Sequence, residues 1–168
     1  MTDLLESKTK LLDQAIEAIE EIQGIETVMN PDIKRMITIV EEFLRENQLI
    51  CYGGTAINNI LPDKDKFYKK TEIPDYDFFS PNALEHAKQL CDIFAKEGFS
   101  DVQGSASVHV GTFKVFVDSI PMADITYLDP DIFNTVKREA VMIDNILYAP
   151  PDYLRMAMYL ELSRPRGD

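Results

Sequence analysis

A chain of 168 residues, 45% hydrophobic and 27% charged, holds enough apolar material for one domain with a buried core, and this balance excludes a disordered, collagenous or low-complexity polymer. With 17 basic residues against 29 acidic ones the net charge is −12, the wrong sign for a domain that grips nucleic acid through its own surface field, so any such grip must come from metal ions, a local basic patch or parts outside this sequence. No run approaches the roughly 18 apolar residues of a bilayer span, no basic-then-apolar leader opens the chain, and Cys51 and Cys91 sit in apolar segments outside any CxxC spacing, which points to a reducing, cytoplasmic setting and away from a cysteine zinc site.

In chain order, Leu4, Leu5, Leu11, Leu12, Ala15, Ile16, Ile19 and Ile22 recur at helical spacing, with Thr2 as N-cap and Gly24 as stop. Asn30-Pro31 reads as a cap and first-turn proline. Ile33, Met36, Ile37, Val40, Phe43 and Leu44 then form one apolar face of a helix running to about Asn47. The apolar run Leu49 to Tyr52 predicts a strand, cut by Gly53-Gly54 and followed by the helix-compatible stretch Thr55 to Ile60. Residues 62–72 are polar and unpatterned and read as a loop, whose Lys64, Lys66, Lys69 and Lys70 suit a solvated surface better than an RNA contact.

Tyr76, Phe78 and Phe79 predict a strand, closed by Ser80-Pro81 as the cap and first-turn pair of a helix through Leu84, Ala87, Leu90, Cys91 and Phe94 that ends at Gly98. From Phe99 to Tyr127 the period changes to two. Val108 and Val110, then Phe113, Val115 and Val117, then Met122 to Tyr127 predict a meander of three or four strands, broken at Gly104, Gly111 and Ser119-Ile120-Pro121. Asp129-Pro130 restarts a short helix, and Asp144-Asn145 suits a tight hairpin between residues 141–143 and 146–148. Pro150-Pro151 opens a last helix on Leu154, Met158 and Leu162, with Met156 and Met158 as packing residues; Arg164 and Arg166 follow in a stretch that reads as a linker or a cut. Helices interleaved with largely antiparallel strands predict an α+β class, a mixed sheet with helices packed against it.

Asp75-Tyr76-Asp77 sets two carboxylates at i and i+2 on a strand, where alternation points both to one face. Like charges held this way suit Mg²⁺, which takes oxygen ligands and leaves positions for substrate phosphates. Chance alone yields about five acidic pairs at this spacing in so acidic a chain, so the pair needs corroboration. Gly53-Gly54 provides it upstream, between a strand and a helix whose N-terminal amides can cradle phosphate oxygens. Asp124 provides it downstream, within the apolar strand Met122-Ala123-Asp124-Ile125, where an unpaired carboxylate is costly. Asp118 rivals Asp124, but Asp118-Ser119 reads better as a turn. His109 alternates with Val108 and Val110 and suits a solvent face, His86 lies on a polar helix face, and both cysteines read as small buried hydrophobes.

The order Tyr52-Gly53-Gly54, Asp75-Tyr76-Asp77-Phe78 and a strand-borne Asp124 resembles the DNA polymerase β-like nucleotidyltransferase pattern. More closely, CYGGTAINNILP, IPDYDFFSPN, HVGTFKVFVDS and MADITYLD resemble the poly(A) polymerase catalytic subunits of large DNA viruses, the poxvirus and giant-virus type, over roughly residues 30–165. The resemblance implies a nucleotidyltransferase fold over residues 30–165, preceded by a helical segment 1–29 and continuing into further domains. It implies transfer of AMP from ATP to an RNA 3′ end, with Asp75, Asp77 and Asp124 as catalytic and metal-binding residues for Mg²⁺ or Mn²⁺. Gly53, Gly54 and Thr55 would bind the nucleotide, Thr55 as a hydroxyl donor. It further implies a processivity subunit or self-association, and a host cytoplasmic or virion location. The gap from Gly54 to Asp75 is longer than the pattern's minimal form. Two alternatives stand beside this reading: a minimal nucleotidyltransferase acting on a protein, a tRNA or a small molecule, and a non-catalytic module that keeps the fold.

Overall fold

The computed structural model describes residues 29–69 and 72–163, with Ile16 and Gly24 in addition. The expected first helix and its cap Thr2, as well as Lys70, Arg164 and Arg166, lie outside the described residues. Ile16 and Gly24 are both helical, so Gly24 is not the stop that its residue type suggested. The chain divides into two compact units, residues 1–35 with 69–73 and residues 36–68 with 74–168.

Within the first unit, the described residues include the opening of helix α1 (Pro31–Asn47). It is capped as its sequence dictates: Asn30 Oδ1 accepts the Asp32 amide at 2.8 Å, and proline takes the first position, where no amide is needed.

The second unit is built on one seven-stranded sheet in the order β3-β4-β5-β2-β1-β7-β6. Its strands are β1 (Ile50–Tyr52), β2 (Tyr76–Ser80), β3 (Val102–Ala106), β4 (Thr112–Val117), β5 (Ile120–Tyr127), β6 (Val141–Ile143) and β7 (Ile146–Tyr148). The helices are the rest of α1, then α2 (Gly53–Ile60), α3 (Ala83–Lys96), α4 (Pro130–Arg138) and α5 (Pro151–Leu162). Pairs β1–β7 and β2–β5 are parallel and the other four antiparallel, which makes the α+β class with a mixed, mostly antiparallel sheet. No helix among the described residues is long and apolar enough to cross a membrane.

Side-chain alternation sorts the sheet into two faces. On one face the Phe43 ring of α1 lies 6.4 Å from that of Phe78 on β2 and 5.8 Å from the His86 ring of α3, and the Tyr76 hydroxyl donates to Glu41 Oε1 at 2.8 Å. Leu44, Phe78, Leu90, Phe94, Val115 and Ile125 are fully buried, each stabilising the fold by about 1.5–3 kcal/mol. α2 contacts α5 and is also tied to β7, where Asn59 Nδ2 donates to the Tyr148 hydroxyl at 3.0 Å; Tyr153 of α5 meets Phe79 edge to face at 5.7 Å.

Several sequence expectations need correction. The strand expected at Val108 and Val110 is instead β3, at 102–106; both valines lie in the loop before β4, 93% and 103% exposed, with His109 exposed between them. Ser80-Pro81 does not start the next helix. Ser80 is the last residue of β2, its hydroxyl accepts the Asn82 amide at 2.9 Å, and α3 begins at Ala83. His86 is only partly exposed on its helix: its Nδ1 pairs with the Ser80 hydroxyl at 2.6 Å, and partial burial lowers its pKa. Met156 and Met158 are half-exposed and not packed in the core, where α5 places only Leu154. Cys51 is buried as expected, whereas Cys91 is partly exposed.

Candidate active site

Tyr76 and Phe78 point toward α1, so Asp77 between them projects to the opposite face of the sheet. β2 and β5 run parallel in a register that sets Asp77 beside Asp124, while Asp75, expected on the same strand, lies just before it, because β2 begins at Tyr76. Asp77 and Asp124 are therefore neighbours, and the Asp75 and Asp77 carboxyls both feel the charge of Asp124. Burial, then the charges of Asp75 and Asp124, push the Asp77 carboxyl up to about 7. Burial, then Asp124, raise Asp75 in the same direction.

One cation opposes this repulsion. Lys114 of β4 forms an ion pair with Asp124 Oδ2, and its charge lowers the pKa of both Asp75 and Asp77. Its position depends on a bulge. The β4–β5 hairpin starts with Val117 opposite Ile120 and Phe116 opposite Pro121, then skips Met122, so that Val115 meets Ala123 and Lys114 meets Asp124. Without that extra residue Lys114 would oppose Ala123, and every later side chain of β5 would sit on the other face.

The diglycine lies against this cluster. α2 begins at Gly53 itself, directly after β1, and its N-cap Tyr52 makes no side-chain capping bond, so no side chain of the cap residue takes up the first amides. Gly53 has φ +71°, and a Cβ there would stand 2.5 Å from Asp77 Oδ2; glycine lets the carboxylate close on the backbone. A Cβ on Gly54 would collide with the Tyr68 hydroxyl. Thr55, expected to face a nucleotide, is buried and donates its hydroxyl to the Asp75 carbonyl, where it ties α2 to the strand that carries the acids.

Beside Asp77, the Tyr52 ring stacks on Phe79 at 3.9 Å, with 11° between the ring planes. The Tyr52 hydroxyl pairs with Thr126 Oγ1 at 2.8 Å, which pairs with Thr112 Oγ1 at 2.8 Å. Burial is the largest effect pushing this phenol up to about 12, and Asp77 and Asp124 add to it.

Elsewhere, Asp118 is exposed at φ +51° in the β4–β5 turn and is not brought to the cluster, as its Asp-Ser sequence suggested. Lys66 pairs with Asp63 at 2.8 Å in the loop, and Lys64 is exposed. Lys114 and Tyr68 were missed by sequence reasoning. For Lys114 a pairing signal existed, the tight turn at Asp118-Ser119, but counting back from it without the bulge gives the wrong partner.

The donor set consists of hard carboxylate oxygens, two of them destabilised as anions by burial and by one another, which is the chemistry that a divalent cation such as Mg²⁺ relieves. Among the described residues, no three such groups already converge as a metal-holding set; Asp124 is turned to Lys114.

A family model described as the poly(A) polymerase catalytic subunit matches residues 38–168. A relative of that description in African swine fever virus (strain Badajoz 1971 Vero-adapted) is 36% identical over 165 residues, covering 98% of this chain and 32% of the relative. Another, from Acanthamoeba polyphaga mimivirus, is 34% identical over 160 residues, covering 89% of this chain and 26% of the relative. The crystal structure of the Megavirus polyadenylate synthase superposes with a TM-score of 0.84 at 27% identity, over 96% of this chain and 33% of that one. The chain thus spans about a third or less of the length of these relatives.

Proposed function

The chain belongs to the family of poly(A) polymerase catalytic subunits, and on that footing we propose that residues 30–165 form the nucleotidyl-transfer domain of an enzyme that adds AMP from ATP to an RNA 3′ end without a template. The observation that carries this reading is the register of Asp77 with Asp124 on parallel strands, with Asp75 alongside, at a helix that opens on two glycines.

Asp75, Asp77 and Asp124 are the residues to hold Mg²⁺ or Mn²⁺. Bound there, such ions supply activation of the 3′ hydroxyl and neutralisation of triphosphate charge. The remaining work falls to the chain itself. The β2–β5 register fixes the spacing of Asp77 and Asp124, and the Thr55 hydroxyl holds the backbone at Asp75. The amides of Gly53 and Gly54 point their donors, and the positive end of α2, at triphosphate oxygens. Burial and two like charges disfavour the Asp77 anion, a repulsion that positive charge at the site relieves. The net charge of −12 does not itself hold RNA, so in the working enzyme that grip falls to parts outside this sequence, to a processivity subunit or to self-association.

The test is incubation with α-labelled ATP, an oligo(A) primer and Mg²⁺ or Mn²⁺. The parent chain should extend the primer, and Asp75→Ala or Asp77→Ala should reduce extension by at least about 100-fold while melting as folded proteins. The same acidity favours a second reading, a nucleotidyltransferase with a protein or small-molecule acceptor. Label on protein, with none on primer, selects it.

A further inference from the structure

The segment between α2 and β2 is not a free loop over residues 62–68. Asp63–Asp65 form a 3₁₀ turn closed by the Lys66–Asp63 ion pair. Asn58, a buried residue of α2, accepts the amides of both Phe67 and Tyr68 on its Oδ1, at 2.9 and 3.0 Å. A buried amide oxygen that accepts two consecutive backbone donors holds the segment at one place on the helix. That place is the second half of the helix, at Asn58, from which the Tyr68 side chain reaches back to the N-terminal turn. The Tyr68 hydroxyl lies where a Cβ of Gly54 would be, while its ring packs beside Phe67 at 4.7 Å and remains 41% exposed. A phenol carries its apolar ring on the strap and its polar tip at the backbone of Gly54, one residue from the Asp77 carboxylate that presses on Gly53.

We propose that Tyr68 is a nucleotide-binding residue, its phenol hydroxyl donating a hydrogen bond to the triphosphate held over Gly53-Gly54, with Asn58 as the residue that positions it. The inference rests on the nucleotidyltransferase reading above and adds to it a donor from outside the diglycine and the three acids. It gives Gly54 a reason of its own: any side chain there would displace the phenol. Because the contact is with phosphate, it should discriminate by phosphate count. A neutral donor to an anionic oxygen, removed with the ring left in place, weakens binding by about tenfold or more.

The test is equilibrium binding of radiolabelled ATP and AMP, each with Mg²⁺ and no acceptor, to the 168-residue chain and to Tyr68→Phe, with thermal melts of both. The expected result is unchanged melting, unchanged AMP affinity and ATP affinity about tenfold weaker in Tyr68→Phe. Asn58→Ala should show the same selective loss more weakly. ATP affinity in Tyr68→Phe equal to or tighter than the parent, or an equal loss for AMP, overturns the inference and leaves the parent's ATP binding standing. A parent chain that binds no Mg·ATP overturns the nucleotidyltransferase reading and this inference together.

Discussion

Asp77 is where the electrostatics of the site concentrate. Its folded pKa of about 7 lies far above the ordinary carboxyl value, so the folded state binds this proton more tightly than the unfolded chain does. The stability it contributes is complete below about pH 4 and is lost as pH climbs toward 7. The metal-free chain should therefore melt at a lower temperature at pH 8 than at pH 5. Asp77→Asn should flatten that dependence and melt higher than the parent at pH 8, as read by scanning calorimetry; a parent profile that rises from pH 5 to 8 contradicts the shift. Lys114 moderates the same repulsion from the neighbouring strand. The acids were legible in the sequence because their spacing, i and i+2, and the apolar flanks of Asp124 are local features. The lysine was not, because its partner depends on a bulge that no local pattern announces.

Among elements, the two tight turns were the most legible. Asp118 and Ser119 (φ +51° and +64°) and Asp144 and Asn145 (φ +51° and +62°) are two-residue hairpin turns with both central residues left-handed, the geometry that matches strand twist. Serine is the least suited of the four to a positive φ. Ser119→Gly should therefore stabilise the chain by up to about 1 kcal/mol in urea unfolding, less the entropy glycine adds to the unfolded state. Destabilisation would contradict the left-handed backbone at this position. β3 was the least legible element. Val-Gln-Gly-Ser-Ala has one good strand former, and the strand lies at the sheet's edge with most of its side chains exposed, so pairing with β4 and not patterning makes it a strand. The valines at 108 and 110 mimic the alternation that β3 lacks.

In the second unit as a whole, the sheet's two faces divide the labour, one packed under α1 and α3 and the other carrying the acids. α5 is joined to this scaffold mainly through Leu154 and the Tyr153–Phe79 contact. Met158 and Leu162, at the spacing of a core face, are 50% and 78% exposed. Leu154→Ala should cost about 2–3 kcal/mol, whereas Leu162→Ala should change stability by less than about 0.5 kcal/mol, measured by chemical denaturation. Equal losses would mean that α5 packs along its length.

What the sequence determined by itself was whatever depends on neighbours within a few residues: most helices and strands, their caps and turns, the diglycine junction, and the short list of acids fit for a divalent ion. Only the tertiary structure decided that Asp77 lies beside Asp124, that Lys114 answers Asp124, that Thr55 turns to the Asp75 carbonyl and that Tyr68 reaches Gly54. Each of these contacts joins residues ten or more apart, and each depends on strand order, on a one-residue shift of register or on where a loop is anchored. Those are properties of the packed chain, which hydrophobic periodicity along the sequence does not encode.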